Sequence, residues 1–267
     1  PPPGEVLIEL RNVHKSFGTK HVLAGASFKI RRGEAVGIIG PSGTGKSTVL
    51  RIMAGLLQPD EGEVWVLGKR REGLASDEEE ERLRVGMVFQ SAALFDSLTV
   101  GENVGFMLYE HSDLPGDRIR ELVAESLDAV GLRGAEEKMP AQLSGGMKKR
   151  AALARAIISD GAERGTEEIV CYDEPTAGLD PIASTVVEDL MRSLHDPGGT
   201  LGVKGGVESY VVVTHQHSTI RRAVDRLIFL HEGRVVWEGS STEFDETAEP
   251  IVRQFARGNL EGPIRYN

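Results

Sequence analysis

The clearest chemistry in this sequence lies in a glycine-rich loop between an apolar run and a helix-like stretch. The loop has the pattern G-x-x-x-x-G-K-[ST] and consists of Gly40, Pro41, Ser42, Gly43, Thr44, Gly45, Lys46, Ser47 and the following Thr48. Glycines allow the backbone to wrap closely around phosphate oxygens, and amides at the following helix start point towards them. We expect Lys46 to reach the outer phosphates and the Ser47 hydroxyl to ligate Mg²⁺, which prefers oxygen ligands. The loop therefore predicts a nucleoside triphosphate site.

Two carboxylates follow a second apolar run. Residues 169–172 are Ile-Val-Cys-Tyr, and Asp173 and Glu174 come next. Open α/β folds bind ligands at the carboxyl ends of their strands. We expect Asp173 to hold Mg²⁺, directly or through water, and Glu174 to polarise an attacking water. The alternative is that both acids cap a following helix.

A third motif precedes the helical run at 148–158. Leu143 is followed by Ser144, Gly145, Gly146 and Met147. A serine that caps a helix, together with glycine amides at its start, forms an anion site.

Short runs rich in β-branched residues predict the strands that must position these motifs. The runs span residues 6–10, 35–39, 63–67, 85–89, 169–172, 210–213, 227–230 and 235–238. Several are apolar throughout, which is typical of strands covered on both faces in a parallel sheet. The phosphate loop and the two carboxylates each follow such a run, so the carboxyl edge of the sheet is the predicted site.

Helical patterns occupy the middle of the chain. Within residues 117–130 the spacing is three and four for Ile119, Leu122, Val123, Leu127 and Val130. Residues 99–159 contain no convincing strand and are interpreted as a helical insertion. Residues 78–84 are also predicted to be helical, with the acidic run 77–81 at an exposed helix start.

Composition excludes several classes of protein. The 267 residues have a net charge of −10, are 40% hydrophobic and include one cysteine. The apolar share is ample for a packed core, and a single cysteine excludes a disulfide framework or a multi-thiolate zinc site. The acidic balance argues against a nucleic-acid binder that relies on a net positive field. No stretch reaches the roughly 18 apolar residues of a membrane span, so the chain is not expected to cross a bilayer by itself.

The order of the motifs resembles that of the ATP-binding subunits of ABC transporters. Phe17 resembles the aromatic residue that stacks on adenine, and Gln90 resembles the glutamine between the sheet and the helical insertion. Residues 177–180 resemble the D-loop, and His215 resembles the switch histidine after a late strand. Each of these four is weak alone, so their order around the strong motifs carries the resemblance.

This resemblance implies an α/β fold of the P-loop NTPase class. It implies an ABC-type nucleotide-binding domain with a RecA-like sheet core, an antiparallel β subdomain and a helical subdomain. Residues 1–267 then form a single domain. Residues 1–98 and 160–240 would be the core and β subdomain, 99–159 the helical subdomain and 241–267 a C-terminal extension.

The resemblance also implies ATP and Mg²⁺ as cofactors and a head-to-tail dimer of two copies of the chain. The phosphate loop of one copy would face the Ser144 motif of the other, with ATP between them. The implied catalytic residues are Lys46, Glu174 and His215. The implied metal contacts are Ser47, Gln90 and Asp173. The implied ATP contacts are Phe17, residues 40–48, Gln90, Ser144, Gly145 and Gly146.

Met147, where the family usually has Gln, narrows the resemblance. The string Q-L-S-G-G-M-K-K-R resembles the ATPases of Mla/MCE-type phospholipid transport, which work with MlaE-type permeases and MCE-type lipid-binding proteins. Residues 172–190, 213–220 and 262–266 are similar to the plastid and cyanobacterial trigalactosyldiacylglycerol branch. The resemblance implies an ATPase for lipid transport, without a nucleic-acid partner. It implies a location at the stromal face of the chloroplast inner envelope or at the cytoplasmic face of a bacterial inner membrane.

Two other functions stay open on the sequence. One is an importer ATPase for a polar solute, which the motif core does not separate from a lipid transporter. The other is a soluble ABC ATPase without a transporter. A single phosphate loop and the lack of a long coiled-coil insertion argue against its ribosome-acting and DNA-acting forms. Because the sequence begins with Pro1 rather than Met, a targeting leader can precede it.

Residues 91–106 are the predicted contact with a permease. Leu94, Phe95, Leu98 and Phe106 make this segment more apolar than an ordinary exposed loop. The alternative, weighed mainly for Phe106, is that these side chains complete the core of the insertion.

Three other segments lie outside the motifs. Residues 160–168 and 196–208 are predicted to be polar loops. The tail at 243–267 either reaches a partner ATPase or packs as a helix on its own domain.

Overall fold

The computed structural model describes residues 4–74, 83–158, 167–195, 209–259 and 261–264. Its strands are β1 Val6–Phe17, β2 Lys20–Arg31, β3 Ala35–Ile39, β4 Glu61–Val66, β5 Lys69–Arg71, β6 Leu83–Val88, β7 Glu167–Asp173, β8 Ser209–Val213, β9 Arg226–His231 and β10 Arg234–Ser240. Its helices are α1 Lys46–Met53, α2 Val100–His111, α3 Gly116–Ala129, α4 Gly145–Ile157, α5 Pro181–His195, α6 His217–Ala223, α7 Ser241–Glu246 and α8 Pro250–Arg257. In the described ranges, no helix combines the length and apolar character that a membrane-spanning segment requires.

An antiparallel sheet contains four strands in the order β2-β1-β4-β5. Strand β2 alternates, since Ala26, Phe28 and Ile30 are buried whereas Ser27 and Lys29 are exposed. A period of two is expected when one face of a sheet packs on a core and the other faces solvent. The buried face shares its core with helix α1, so this sheet lies against the start of the phosphate site.

A second sheet has the strand order β10-β9-β3-β8-β7-β6. All its neighbouring strands are parallel except β10, which runs antiparallel to β9. Every residue of β3 and β8 is buried, as expected for strands covered on both faces. Because parallel strands end at the same edge, the segments after β3, β6, β7 and β8 meet there. The predicted α/β architecture, with a sheet core, an antiparallel subdomain and a helical insertion, is confirmed.

Helices α2, α3 and α4 form the insertion between β6 and β7. The predicted apolar stripe of α3 is buried, at Ile119, Leu122, Val123, Leu127 and Val130. At the start of α2, the Thr99 side chain accepts from the Glu102 amide while the Glu102 carboxylate accepts from the Thr99 amide. This reciprocal cap fixes where the helix begins.

The described part of the C-terminal tail packs on its own domain. Phe244 of α7 and Val252 of α8 are buried in the same core as the helical insertion. Gln254 is buried, and its side chain both donates to the main-chain oxygen of Ile264 and accepts from the Ile264 amide. These contacts hold the end of the chain against α8.

Two predicted boundaries are wrong. Leu83, placed in the predicted helix at 78–84, begins strand β6 instead. Glu168, placed in the predicted loop at 160–168, lies in strand β7. The first residues of β6 and β7 pair with each other in the ladder. Charged residues at these two strand starts obscure the apolar pattern from which a strand is predicted. Strands β2 and β5 were not predicted either.

Several predictions fall outside the described residues. These are the helix start at 77–81, the loop at 196–208 and most of the loop at 160–168.

Candidate functional site

The phosphate loop joins β3 to α1 and is held tightly by its neighbours. Gly40 has a φ of +144°, and a Cβ there would lie 2.1 Å from the main-chain oxygen of Leu230. Gly45 has a φ of +96°, and a Cβ there would lie 2.8 Å from the oxygen of Val22. Both positions therefore require glycine, on torsional and steric grounds. Thr44 donates its hydroxyl to the oxygen of Pro41 across the loop at 2.9 Å.

Lys46 lies buried inside the loop. Its Nζ donates to the main-chain oxygens of Gly40 at 2.9 Å and Pro41 at 2.8 Å. Burial lowers the pKa of this ammonium, while the carboxylates of Glu174 and Asp173 act in the opposite direction. The loop thus holds a desolvated cation whose acceptors are carbonyl oxygens, and phosphate oxygens can replace them.

Ser47 and Asp173 meet across the sheet edge. The Ser47 hydroxyl donates to Asp173 Oδ1 at 2.8 Å, although 126 positions separate them in sequence. The parallel strands β3 and β7 lie on either side of β8, which brings their carboxyl ends together. The contact places a hydroxyl oxygen next to a carboxylate oxygen, and Mg²⁺ prefers such oxygens as ligands.

Glu174 and His215 form the second pair at this edge. His215 Nδ1 and Glu174 Oε1 are 2.8 Å apart, and the other oxygen, Oε2, is buried without a hydrogen-bond partner. Glu174 has a φ of +48°, a left-handed conformation that is unfavourable for a residue with a side chain. Its amide donates to the oxygen of Val213, the last residue of β8. Non-glycine residues held in this region are concentrated at functional sites.

His217, two residues after His215, lies among aromatic side chains. Its ring stacks on Phe255, with centroids 6.2 Å apart and an interplanar angle of 19°, and it also lies near Phe244. The two histidines thus have different neighbours, since His215 contacts Glu174.

Gln90 lies just beyond β6, at a cleft of about 620 Å³ next to Asp173. Its side chain is exposed, and Arg51, Ala177 and Gly178 line the same cleft. The cleft thus contacts the phosphate-loop helix, the predicted D-loop and one of the carboxylates.

Phe17 lies at the tip of the hairpin between β1 and β2, where it pairs with Lys20. Its ring is 50% exposed, which leaves a face free for stacking. Since Val22 of the same hairpin contacts Gly45, the hairpin borders the phosphate loop.

The Ser144 motif is separate from the phosphate loop of its own chain. Ser144 caps α4 by accepting from the Met147 amide, and its side chain is otherwise exposed. A Cβ added at Gly145 would contact Leu179 of the D-loop segment at 3.3 Å. In the described residues, no hydrogen bond joins this motif to residues 40–48.

Sequence reasoning missed Lys149, which connects the Ser144 helix to the Gln90 segment. Lys149 is buried, and its Nζ donates to the main-chain oxygen of Gln90. Burial lowers its pKa, against the opposite effect of Asp173 and then Glu174. The helical spacing i, i+4, i+8 that it shares with Leu153 and Ile157 was the available signal for a buried position.

Comparison with known proteins agrees with this geometry. The family model described as ABC transporter matches residues 23–177. The chain is 64% identical over 264 residues to Protein TRIGALACTOSYLDIACYLGLYCEROL 3, chloroplastic, of Arabidopsis thaliana, covering 98% of this chain and 76% of that protein. It is 36% identical over 261 residues to the intermembrane phospholipid transport system ATP-binding protein MlaF of Escherichia coli, covering 97% of this chain and 92% of that protein.

Among solved structures, the fold matches a dimeric post-hydrolysis state of the ATP-binding cassette MJ0796 bound to ADP and Pi. The TM-score is 0.72 at 33% identity, covering 88% of this chain and 99% of that one.

Proposed function

The chain belongs to the ABC transporter family as an ATP-hydrolysing subunit, and from this premise we propose that it powers lipid transport through a separate membrane permease. ABC cassettes dimerise and work with such a permease. The proposal concerns the cargo, the residues that carry out hydrolysis and the partners of this chain.

Residues 40–48 are the proposed ATP cradle. Glycine at positions 40 and 45 lets the main chain come close to phosphate oxygens, and the buried Lys46 would neutralise their charge. Phe17 is the proposed platform for adenine, and its half-exposed ring supports this role.

Mg²⁺ fits the oxygen donors at the sheet edge. Ser47 and Asp173 are the proposed protein ligands, with Gln90 at the adjoining cleft. Within the described ranges, no group of three or more His, Cys, Asp and Glu side chains forms a metal cage. Mg²⁺ usually takes its remaining ligands from phosphate and water. When bound, Mg²⁺ neutralises charge on the phosphate oxygens.

Glu174 is the proposed general base. Its buried Oε2 has no hydrogen-bond partner, so it is available to accept a proton from an attacking water. His215, in contact with Oε1, would orient this carboxylate and hold residues 214–216, called here the switch segment, at the terminal phosphate. The backbone of Glu174 is left-handed, and its amide is held by the main-chain oxygen of Val213 at the end of β8.

The complete site is proposed to need a second copy of the chain. Ser144, Gly145 and Gly146 are exposed or half-buried at the start of α4, and in the described residues they form no hydrogen bond to residues 40–48 of their own chain. In a head-to-tail dimer they would meet the terminal phosphate bound to the partner. ATP then joins the two copies, and hydrolysis removes the bridge.

A phospholipid-like cargo is the proposal that whole-chain similarity supports best. Its support is 36% identity over 97% of the chain to a protein named for intermembrane phospholipid transport, together with 64% identity over 98% of the chain to a chloroplastic protein named after another lipid, a galactolipid. We therefore propose an MlaE-type permease and an MCE-type lipid-binding protein as partners. The proposed location is the stromal face of the chloroplast inner envelope, with the cytoplasmic face of a bacterial inner membrane as the alternative.

Residues 91–106 are the proposed permease contact. Phe95 is 47% exposed, and its ring centroid is 5.0 Å from that of the half-buried Phe106. Buried Asn103 accepts from the amide of Phe95 and donates to its oxygen, which holds the segment in place. Leu94 packs on the core of the insertion, so only part of the segment is free for a partner.

The cargo is tested by reconstituting the assembled transporter in vesicles and measuring phosphate release. Phosphatidic acid in the vesicles should stimulate ATP hydrolysis and be moved between membranes. Stimulation by a polar solute, with no response to phosphatidic acid, would show the lipid assignment to be wrong.

The site is tested by Glu174→Gln in the same complex. Turnover should fall on the order of a hundredfold or more, because the base is lost, while ATP affinity is retained. Glu232→Gln, at an exposed turn between β9 and β10, is the matched control and should retain full turnover. Near-normal hydrolysis by Glu174→Gln would contradict the assigned role.

A further inference from the structure

Helix α5 carries a buried carboxylate that the proposed mechanism does not use. It lies against the helix that follows the switch segment. Glu188 of α5 is 1% exposed. Its Oε1 accepts from the Ser218 hydroxyl at 2.9 Å and from the Thr219 hydroxyl at 2.7 Å. Both hydroxyls belong to the first turn of α6, which begins two residues after His215. Glu188 thus ties α5 to the helix that follows the switch histidine.

The same network reaches the segment that carries the proposed base. Thr176, two residues after Glu174, is fully buried and donates its hydroxyl to Gln216 Oε1 at 2.8 Å. The hydroxyl oxygens of Thr176 and Thr219 are also 3.3 Å apart. A continuous chain of contacts therefore runs from Glu188 through Thr219 to Thr176.

Both neighbours of His215 are held by this arrangement. The Gln216 amide donates to the Thr214 hydroxyl at 3.0 Å, and the Gln216 side chain is the acceptor for Thr176. Thr214 is itself fully buried. The backbone on each side of the exposed His215 is thus fixed, while the imidazole projects towards Glu174.

Stability alone does not account for a carboxylate at this position. The second oxygen of Glu188 is buried without a hydrogen bond, and its nearest cation is Arg222, whose Nε is 3.7 Å away. Apolar side chains often replace such buried charges without loss of stability, whereas removing one partner strands the others. The two hydroxyl donors of α6 have a defined orientation only while the carboxylate accepts from them.

We propose that Glu188 is a positioning residue that sets α6 against Thr176 so that His215 meets Glu174 in the orientation hydrolysis needs. This inference rests on the proposed role of His215 in hydrolysis. Glu188 acts only through the switch segment and does not touch the nucleotide.

The test is a double-mutant cycle in the assembled transporter, measured as release of labelled phosphate from ATP. Glu188→Leu should lower kcat about tenfold, since small misplacements of catalytic groups are costly, and should leave the KM for ATP within about twofold. Glu188→Gln keeps an acceptor oxygen and should restore most of the rate. In a His215→Ala background, Glu188→Leu should change the remaining rate by less than about twofold, because its effect passes through the missing imidazole.

The matched control is Asp189→Asn on the exposed side of the same helix, where Asp189 accepts from Arg222 at 3.0 Å. It should leave kcat unchanged. If Glu188→Leu does not fold, Thr219→Val removes the central hydroxyl and should reproduce the fall in kcat.

An unchanged kcat in these variants, or an equal fold-loss with and without His215, overturns the inference while the proposed function stands. If His215→Ala alone leaves kcat unchanged, the role assigned to His215 is wrong, and the positioning role falls with it.

Discussion

Glu168 makes the stability of this chain depend on pH, and replacing it isolates the effect. It lies in β7, five residues before Asp173, and its side chain is 15% exposed. Its Oε1 is buried without a hydrogen bond, and Arg84 Nη1 is 3.7 Å away, too far to donate one. Burial raises the pKa of this carboxyl from 4.5 to about 7, against the smaller opposing effect of Arg84.

The sign and size of the effect follow from this shift. Between pH 4.5 and about 7 the folded chain keeps a proton that the unfolded chain has lost. The free energy of unfolding therefore falls as the pH rises through this window. The full shift of this pKa corresponds to about 3 kcal/mol in the free energy of unfolding, and most of that stability is lost between pH 5 and pH 8. Glu168→Gln has no such proton to lose. The free energy of unfolding of this variant, relative to that of the parent chain, should therefore rise by about 2–3 kcal/mol from pH 5 to pH 8.

Urea unfolding of the nucleotide-free chain at pH 5 and pH 8 measures this difference. The melting advantage of the variant over the parent should also be larger at pH 8 than at pH 5 by roughly 4–12 °C, given the size of the chain. Glu121→Gln, at a 64% exposed position on α3, is the control, because it replaces a carboxylate with an amide where burial does not act. A Glu168→Gln advantage that is the same at both pH values would refute the reasoning, because the carboxyl would then not be desolvated.

Two further predictions concern binding and coupling. Phe17→Ala should raise the KM for ATP about tenfold with kcat retained, because base stacking on an aromatic ring is lost, whereas Phe17→Tyr should behave like the parent. An unchanged KM in Phe17→Ala steady-state assays would contradict the adenine platform. Phe95→Asp should abolish lipid-dependent stimulation of ATP hydrolysis in vesicles, while ATP binding by the separate chain stays within about twofold, since a charge is costly in an apolar contact. Normal assembly and transport by this variant would place the permease contact elsewhere.

Local sequence patterns determined the strands that are apolar throughout and the helices with a regular stripe. Residues 35–39 match β3, and the apolar stripe of α3 is buried as predicted. Such elements are predictable because their residues report burial directly. Strand β2 has a usable alternation from Ala26 to Ile30, but its charged and small residues obscured it. The start of β7 is set by its ladder with β6, which no local pattern reports.

The residues of the candidate site also differ in how far the local sequence predicts them. Lys46, Ser47, Asp173 and Glu174 were recognisable because their chemistry requires those residue types at fixed places after a strand. His215 and Gln90 came only from resemblance to a family, since single polar residues carry no local signal.

Only the tertiary structure decided how these groups meet. The pairing of Ser47 with Asp173 depends on strand order, because β8 lies between β3 and β7. Lys149 and Glu188 were missed for a related reason. A charged residue in a sequence predicts an exposed side chain. Such a side chain tolerates burial when another element supplies a hydrogen-bond partner. The main-chain oxygen of Gln90 is that partner for Lys149, and the hydroxyls of α6 are the partners for Glu188. The sequence by itself determined which chemistry is present, and the packing of distant elements decided which buried side chains hold it in place.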